Sequence, residues 1–490
     1  MLFNSLEFLV FFPVVTALYF LLPQRFRWLH LLVASCIFYM AFIPVYILIL
    51  AFLIVIDYFA GILIENAEGP RRRLFLLMSL VANIGMLAVF KYYNFFSHNM
   101  TQLGHWLGRD FAMPLLAIAL PIGLSFHTFQ AMSYTIEVYR GNQKAERHFG
   151  IYALYVMFYP QLVAGPIERP QNLLHQFYER HQFEYYRVTN GLKLMLWGMF
   201  KKVVIADRVA VYVDSVYNAP RLWAGPPLIV ATIFFAFQIY CDFSGYSDIA
   251  IGAAQVMGFK LMTNFNRPYH AKSISEFWKR WHISLSTWFK DYLYIPLGGN
   301  RASEGRWYFN LFFTFVISGV WHGANWTFVA WGAINGFYLL FSIWTRRVRG
   351  RLARASGLAN RPGLHKIFSI AVTFALTCYA WVFFRANSIS DAVYINRAVA
   401  SSLIHPLTVL RSSAGGALGR LGPISRSEFL TVLAVVGFME LIHFLQRKRG
   451  MRAMLAEKPI WLRWSVYYAL TFAILLLGEF SKRQFIYFQF

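Results

Sequence analysis

Charge is scarce in this 490-residue chain, and acidic charge scarcest. Asp, Glu, Lys and Arg make up 14% of it, against about 25% in an ordinary soluble domain. Acidic residues number 22 against 46 basic ones, which leaves a net charge of +24. Cysteine is limited to Cys36, Cys241 and Cys378, too far apart for a disulfide framework or a paired-cysteine zinc module. Several catalytic signatures are also missing. The run Gly245-Tyr246-Ser247 continues into Asp248-Ile249, so there is no GxSxG elbow for a serine hydrolase. HExxH and the phosphate-binding GxxxxGK[ST] do not occur, so neither a metalloprotease site nor a nucleotide-hydrolysis site is expected. No metal site and no resident cofactor is expected.

The composition is filled by apolar residues, at 58%, with aromatics at 19%. A soluble globule this apolar could not hide its surplus surface, so lipid is the expected solvent for most of the chain. The basic residues stand in short runs between apolar segments, such as Arg71-Arg72-Arg73 and Arg447-Lys448-Arg449. That suits cytoplasmic loops and argues against nucleic acid as a partner, since no basic domain stands apart from the apolar segments.

Segments able to cross about 30 Å of hydrocarbon are read at residues 1–22, 28–43, 45–64, 74–96, 111–134, 367–384, 429–446 and 464–480. Two shorter candidates lie at 151–164 and 192–206. Two longer ones, 228–259 and 310–344, each have room for a tight hairpin. Residues 1–22 carry no basic start, so they read as a retained span rather than a cleaved signal. Loop charge sets the orientation. Residues 345–366 carry seven Lys/Arg and no acid, and residues 447–463 carry six with one acid. The longer loop 386–428 carries only four. The two dense loops are expected inside, and the N-terminus and the tail 481–490 outside. Regions 165–187 and 260–307 are too polar to cross and too aromatic for free loops, so they read as re-entrant or interfacial helices. One integral membrane domain over residues 1–490 is expected.

Polar groups inside apolar segments are expensive and mark candidate sites. His322 lies mid-way along the apolar stretch 310–344. An imidazole can take a proton from a hydroxyl near neutral pH, as a general base must. The same pattern suits a histidine that only ties two helices together, and the flanking Gly319 and Gly323 permit close helix approach. Glu276, Lys279, Arg280 and His282 crowd one or two helical turns. They suit either a membrane-surface helix meeting lipid phosphates or a cationic contact for an anionic donor beside a reacting histidine. Asp242 and Asp248 lie in an apolar run and need partners, either as structural pairs or along a polar cavity. The C-terminal 485–490 segment, FIYFQF, suits an aromatic anchor at the outer interface.

Six ordered stretches carry a resemblance. They are residues 159–166 (YPQLVAGP), 242–252 (DFSGYSDIAIG), 264–269 (NFNRPY), 276–288 (EFWKRWHISLSTW), 291–300 (DYLYIPLGGN) and 320–325 (VWHGAN). Together they resemble the membrane-bound O-acyltransferase superfamily. The nearest branch O-acetylates alginate, and the peptidoglycan, cellulose and teichoic-acid branches are similar. The resemblance implies an all-α polytopic membrane protein with about 11–13 spanning helices and re-entrant helices around a central tunnel. It implies that His322 and His282 match the two family histidines, and that acetyl-CoA is the donor. It implies donor or tunnel contacts from Lys279, Arg280, Asn325, Asp242 and Asp248. The tail residues Phe485, Tyr487 and Phe490 fit an F-x-Y-x-x-F form, which implies that Tyr487 relays the acyl group outside. The implied partner is a secreted or anchored SGNH-hydrolase-like protein that passes the group to a polysaccharide. The implied setting is the bacterial inner membrane, among its lipids. A transporter doing no chemistry is the competing reading. It would show an inverted repeat with broken helices in both halves, and no such symmetry is found in the sequence.

Overall fold

A computed structural model describes the chain except residues 110, 118–119, 164, 224, 406–421, 448–449, 481–484 and 487–490. The described residues are overwhelmingly helical and contain no β-strand. Seven helical stretches are long and apolar enough to cross a membrane: Pro44–Asn66, Gly69–Trp106, Pro226–Met257, Trp326–Trp344, Pro362–Arg385, Arg426–Leu445 and Ile460–Leu477. Leu6–Leu21 is a shorter apolar helix. Large apolar side chains point outward along these helices, with Leu6 80% and Leu476 77% exposed. Such surfaces are stable only against lipid. The molecule is therefore an all-α multi-pass membrane protein.

The chain forms two compact units. The first comprises residues 1–195 and 246–263, the second residues 196–245 and 264–490. In the first, helix Leu124–Arg140 is almost wholly buried, and polar side chains tie it to its neighbours. The Asp57 carboxylate accepts from Ser79 Oγ (2.6 Å) and Asn83 Nδ2 (2.9 Å), and Ser79 also meets Thr135 at 3.1 Å. Buried carboxylates survive in such surroundings only when donors are aimed at them. Glu168, also fully buried, likewise accepts from the amide of Met262.

Three segments differ from the sequence expectation. Residues 111–134 do not form one span. Pro114, Pro121 and Gly123 (φ 77°) keep the described part of 111–123 out of a helix, which starts only at Leu124. Residues 228–259 do not form a hairpin, because Pro226–Met257 is one 32-residue helix. Its glycines serve close packing instead. A Cβ on Gly252 would lie 2.6 Å from the Gly191 carbonyl oxygen, and one on Gly245 would lie 2.7 Å from that of Gly198. Finally, residues 192–206 belong to a longer helical run, Tyr185–Met199 continuing through a π-helical turn at Phe200–Ala206 into Asp207–Tyr217. A π turn commonly marks a functional position, and here it carries two buried lysines.

Candidate active site

The stretch 310–344 does fold as the expected hairpin, of helices Glu304–His322 and Trp326–Trp344. Gly319 faces Gly332, and a Cβ on either would lie 3.1 Å from the other's Cα. This is the close approach that small residues permit. Gly323 plays a different part, since a Cβ there would strike the Phe328 ring. Its extended backbone (φ −164°) ends the first helix, and the Asn325 side chain accepts from Thr327 N at 3.0 Å to start the second. His322 is thus the last residue before a sharp break rather than the middle of a span. It is buried, and rings surround it: Trp321 and Trp331 at 4.9 Å between centroids and Phe384 at 5.3 Å.

His282 is held by other means. Together with Arg267 it is one of two non-glycine residues with positive φ among the described residues, at 42° and 47°. The left-handed region is uncommon for side chains and is held only where surroundings insist. Here two segments face each other through Asn266 N→Arg280 O and Ile283 N→Asn264 O, both 2.9 Å. The Asn264 side-chain oxygen accepts from Ser284 Oγ (2.7 Å) and Ser284 N (3.2 Å) and lies 3.3 Å from His282 Nδ1. The ring of Phe243 stands edge-on at 4.6 Å. Burial pushes the His282 imidazole down to about 3, so it is neutral at physiological pH.

One aromatic cluster reaches both histidines. Trp331, which packs on His322, stacks on Trp381 at 5.8 Å, and Trp381 lies 5.0 Å from Trp281, the residue before His282. Trp278 closes on Trp331 at 5.6 Å. An imidazole base in such a setting is shielded from bulk water, which favours acyl transfer over hydrolysis.

The other sequence-flagged residues fall in varied places. Lys279 is exposed. Arg280 is taken up by Glu276 at 2.6 Å. Asn325 caps its helix, with its amide also 3.5 Å from the Asn387 carbonyl. Asp242 is buried against Lys202 Nζ at 2.6 Å, and Lys202 also meets Asp207 at 2.8 Å. Asp248 is half-buried and belongs to the other unit. Tyr487 and Phe490 lie outside the described residues. Just before Tyr487, Phe485 and Ile486 are buried. The Ile486 amide donates to Asp242 Oδ2 at 2.7 Å, and Phe485 packs on Phe243 at 5.5 Å between centroids.

Comparison with known proteins agrees with this picture. The model of the MBOAT, membrane-bound O-acyltransferase family matches residues 143–384, which include both histidines. "Probable alginate O-acetylase AlgI" of Pseudomonas aeruginosa is 40% identical over 397 residues, covering 80% of this chain and 73% of that protein. Its counterpart in Pseudomonas putida is also 40% identical, with 79% of its length covered. "Peptidoglycan O-acetyltransferase" of Helicobacter pylori is 36% identical over 431 residues, covering 81% of this chain and 79% of that one. The chain belongs to the membrane-bound O-acyltransferase family.

It is therefore an acyltransferase. Two features of this family member escaped the sequence reading. Lys201 and Lys202 are both buried, Lys201 donating to Ser244 Oγ at 2.9 Å. Their signal was present, as two cations inside the apolar segment 192–206, where charge is costly. The second is a group formed by His270, Glu440 and His443. Glu440 and His443 also stand inside an apolar segment, but His270 is 170 residues away from Glu440 and nothing in the spacing joins them.

Proposed function

We propose that this acyltransferase works in the bacterial inner membrane and moves an acetyl group from cytoplasmic acetyl-CoA outward, for O-acetylation of an exported polysaccharide such as alginate. The observation that carries the reading is the joint burial of His322 and His282 along one tryptophan cluster. His322 acts as general base. It takes the proton of the attacking hydroxyl as that oxygen bonds to the thioester carbon. The carbon–sulfur bond breaks, and the imidazolium returns the proton to the departing thiolate. His282, neutral and fixed by Asn264, positions the reacting groups. Lys279 is exposed, so it suits the donor's phosphates better than Arg280, which Glu276 occupies.

The anchored pair Phe485–Ile486 supports a role for the next residue, Tyr487, as the acyl relay. An SGNH-hydrolase-like partner outside the membrane then passes the group to the polymer. The likeness to the alginate proteins favours alginate or a similar exopolysaccharide, and the Helicobacter pylori relative makes peptidoglycan the second reading.

The test is polymer acetylation in cells carrying His322→Gln at normal membrane abundance. A loss of about 10²–10⁴-fold is expected for a general base, and ordinary acetylation would remove His322 from the mechanism. Mass spectrometry of both exopolysaccharide and peptidoglycan from the same cells decides the acceptor. Tyr487→Phe is expected to block transfer and to leave no acetylated C-terminal peptide. Full transfer in that variant would reduce the tail to an anchor.

A further inference from the structure

Apart from the two histidines of the proposed reaction, the second unit contains a group whose donor set points to a metal. Glu440 and His443 lie one turn apart near the end of helix Arg426–Leu445, so their side chains share a face. His270 ends the short turn Pro268–His270, delivered there by the left-handed backbone of Arg267. His270 Nε2 is 2.8 Å from Glu440 Oε2, and His443 Nδ1 is 3.3 Å from Glu440 Oε1. One ligand atom from each of the three residues can be chosen so that all lie within 4.8 Å of one another.

We propose that His270, Glu440 and His443 bind a divalent transition metal, of which zinc fits best. Two imidazoles and one carboxylate form the mixed nitrogen and oxygen set that zinc accepts, with water in the fourth place. Tetrahedral bonds of about 2.0–2.1 Å call for donors about 3.3 Å apart. His443 Nδ1 meets that spacing at Glu440 Oε1, whereas His270 Nε2 lies against the other oxygen, Oε2, so a carboxylate binding through one oxygen needs a small turn of the carboxyl group. The outer layer is also in place. The Tyr240 hydroxyl lies 3.3 Å from His443 Nε2. When Nε2–H donates to it, Nδ1 is left with its lone pair facing the carboxylate, which is the tautomer a metal requires. His443 is buried while His270 and Glu440 are half-buried, so the ion is held in a partly closed place with a route for exchange.

The position gives the ion a structural job. It clasps the end of a membrane helix to the segment 264–270, and that segment carries Asn264, the residue that holds His282. Tyr240 continues the connection, lying 5.6 Å from Tyr269 and 6.2 Å from Trp281 between ring centroids. Glu440 and His443 fall beyond residues 143–384, the part that matches the family model. The clasp is thus built partly from sequence outside the matched region.

The experiment uses full-length protein in detergent, purified with a tag free of histidine, stripped by chelator and then dialysed against Zn²⁺ alone. About one zinc per chain is expected for the unaltered protein and for the control His365→Gln. Less than about one fifth of that is expected for Glu440→Gln and His443→Gln. Zinc should also raise the melting temperature of the unaltered protein by at least about 3 °C. A second measurement needs no variant. Co²⁺ added to the stripped wild-type protein should give the intense visible bands of a four-coordinate site, which Zn²⁺ then removes. Zinc uptake equal in wild type and Glu440→Gln, or a cobalt spectrum no stronger than that of the hydrated ion, overturns the proposal.

Discussion

The two histidines reach similar burial by opposite routes. His322 sits at the break of a tight helical hairpin, where Gly319 and Gly332 bring the backbones together and Trp321, Trp331 and Phe384 wall the ring. Its backbone is helical, and apolar packing does the holding. His282 lies outside the spanning helices, in a left-handed conformation between short helices, and hydrogen bonds from Asn264 and the 264–266 segment hold it. Packing against aromatic faces leaves a ring free to exchange protons without moving the backbone. A strained conformation fixed by hydrogen bonds favours constancy of position. The contrast fits a division between a base at His322 and a positioning group at His282.

The sharpest way to break that division is to change backbone preference at His282. Val is β-branched and poorly suited to positive φ, whereas Asn visits the left-handed region readily. His282→Val is expected to destabilise the protein by about 2–4 kcal/mol, read as a large fall in melting temperature in detergent. His282→Asn should stay close to wild type in melting while losing part of the activity. If the two substitutions melt alike, backbone strain is not what distinguishes this position. At His322 the same pair should separate little, because a helical φ tolerates both.

Much of this was legible in the sequence, and the reasons for the misses are physical. The hairpin at 310–344 could be read from length, because that apolar stretch is longer than one crossing needs. The same argument from length fails at 228–259, where the single helix Pro226–Met257 takes up that length and Gly245 and Gly252 pack closely on Gly198 and Gly191. A glycine's role depends on what comes near it. His282 and His322 were flagged as polar groups in apolar or crowded aromatic sequence. The left-handed backbone at His282 and the grip of Asn264 depend on a pairing of two segments, which no periodicity reports. Lys201 and Lys202 break the rule against charge in apolar segments, and only the fold shows the partners Ser244, Asp207 and Asp242 that let them stay there.

The next test concerns the grip itself. Asn264 Oδ1 serves Ser284 twice and stands beside His282 Nδ1, so Asn264→Ala leaves several buried polar groups short of a partner. A cost of about 1–3 kcal/mol is expected. If His282 only positions, the variant should lose turnover with little change in apparent donor affinity, and Asn264→Asp, which keeps the acceptor oxygens, should recover part of it. Equal losses in both variants would mean that the oxygen is not what holds the histidine.

The smallest effect, and the one most specific to burial, is the response to pH. Burial lowers the His282 imidazole from its ordinary value to about 3, so the folded protein binds this proton less readily than the unfolded chain does. The sign follows from linkage. The group contributes fully above the unfolded value of about 6.5, and the contribution is lost as pH falls toward the folded value. The loss is at most about 1.4 kcal/mol for each pH unit below that point. Melting curves of wild type and His282→Gln at pH 7.5, 6.5 and 5.5 should therefore show a gap that moves by only about 0.3–0.4 kcal/mol between the first two, as the unfolded imidazole becomes half-protonated. The gap should shift by about 1 kcal/mol against the wild type at the third, since only the wild type has an imidazole to protonate on unfolding. A gap that stays constant down to pH 5.5 would mean that His282 is solvated in the membrane-embedded protein, and its part as a dry, neutral positioning group would fall with that result.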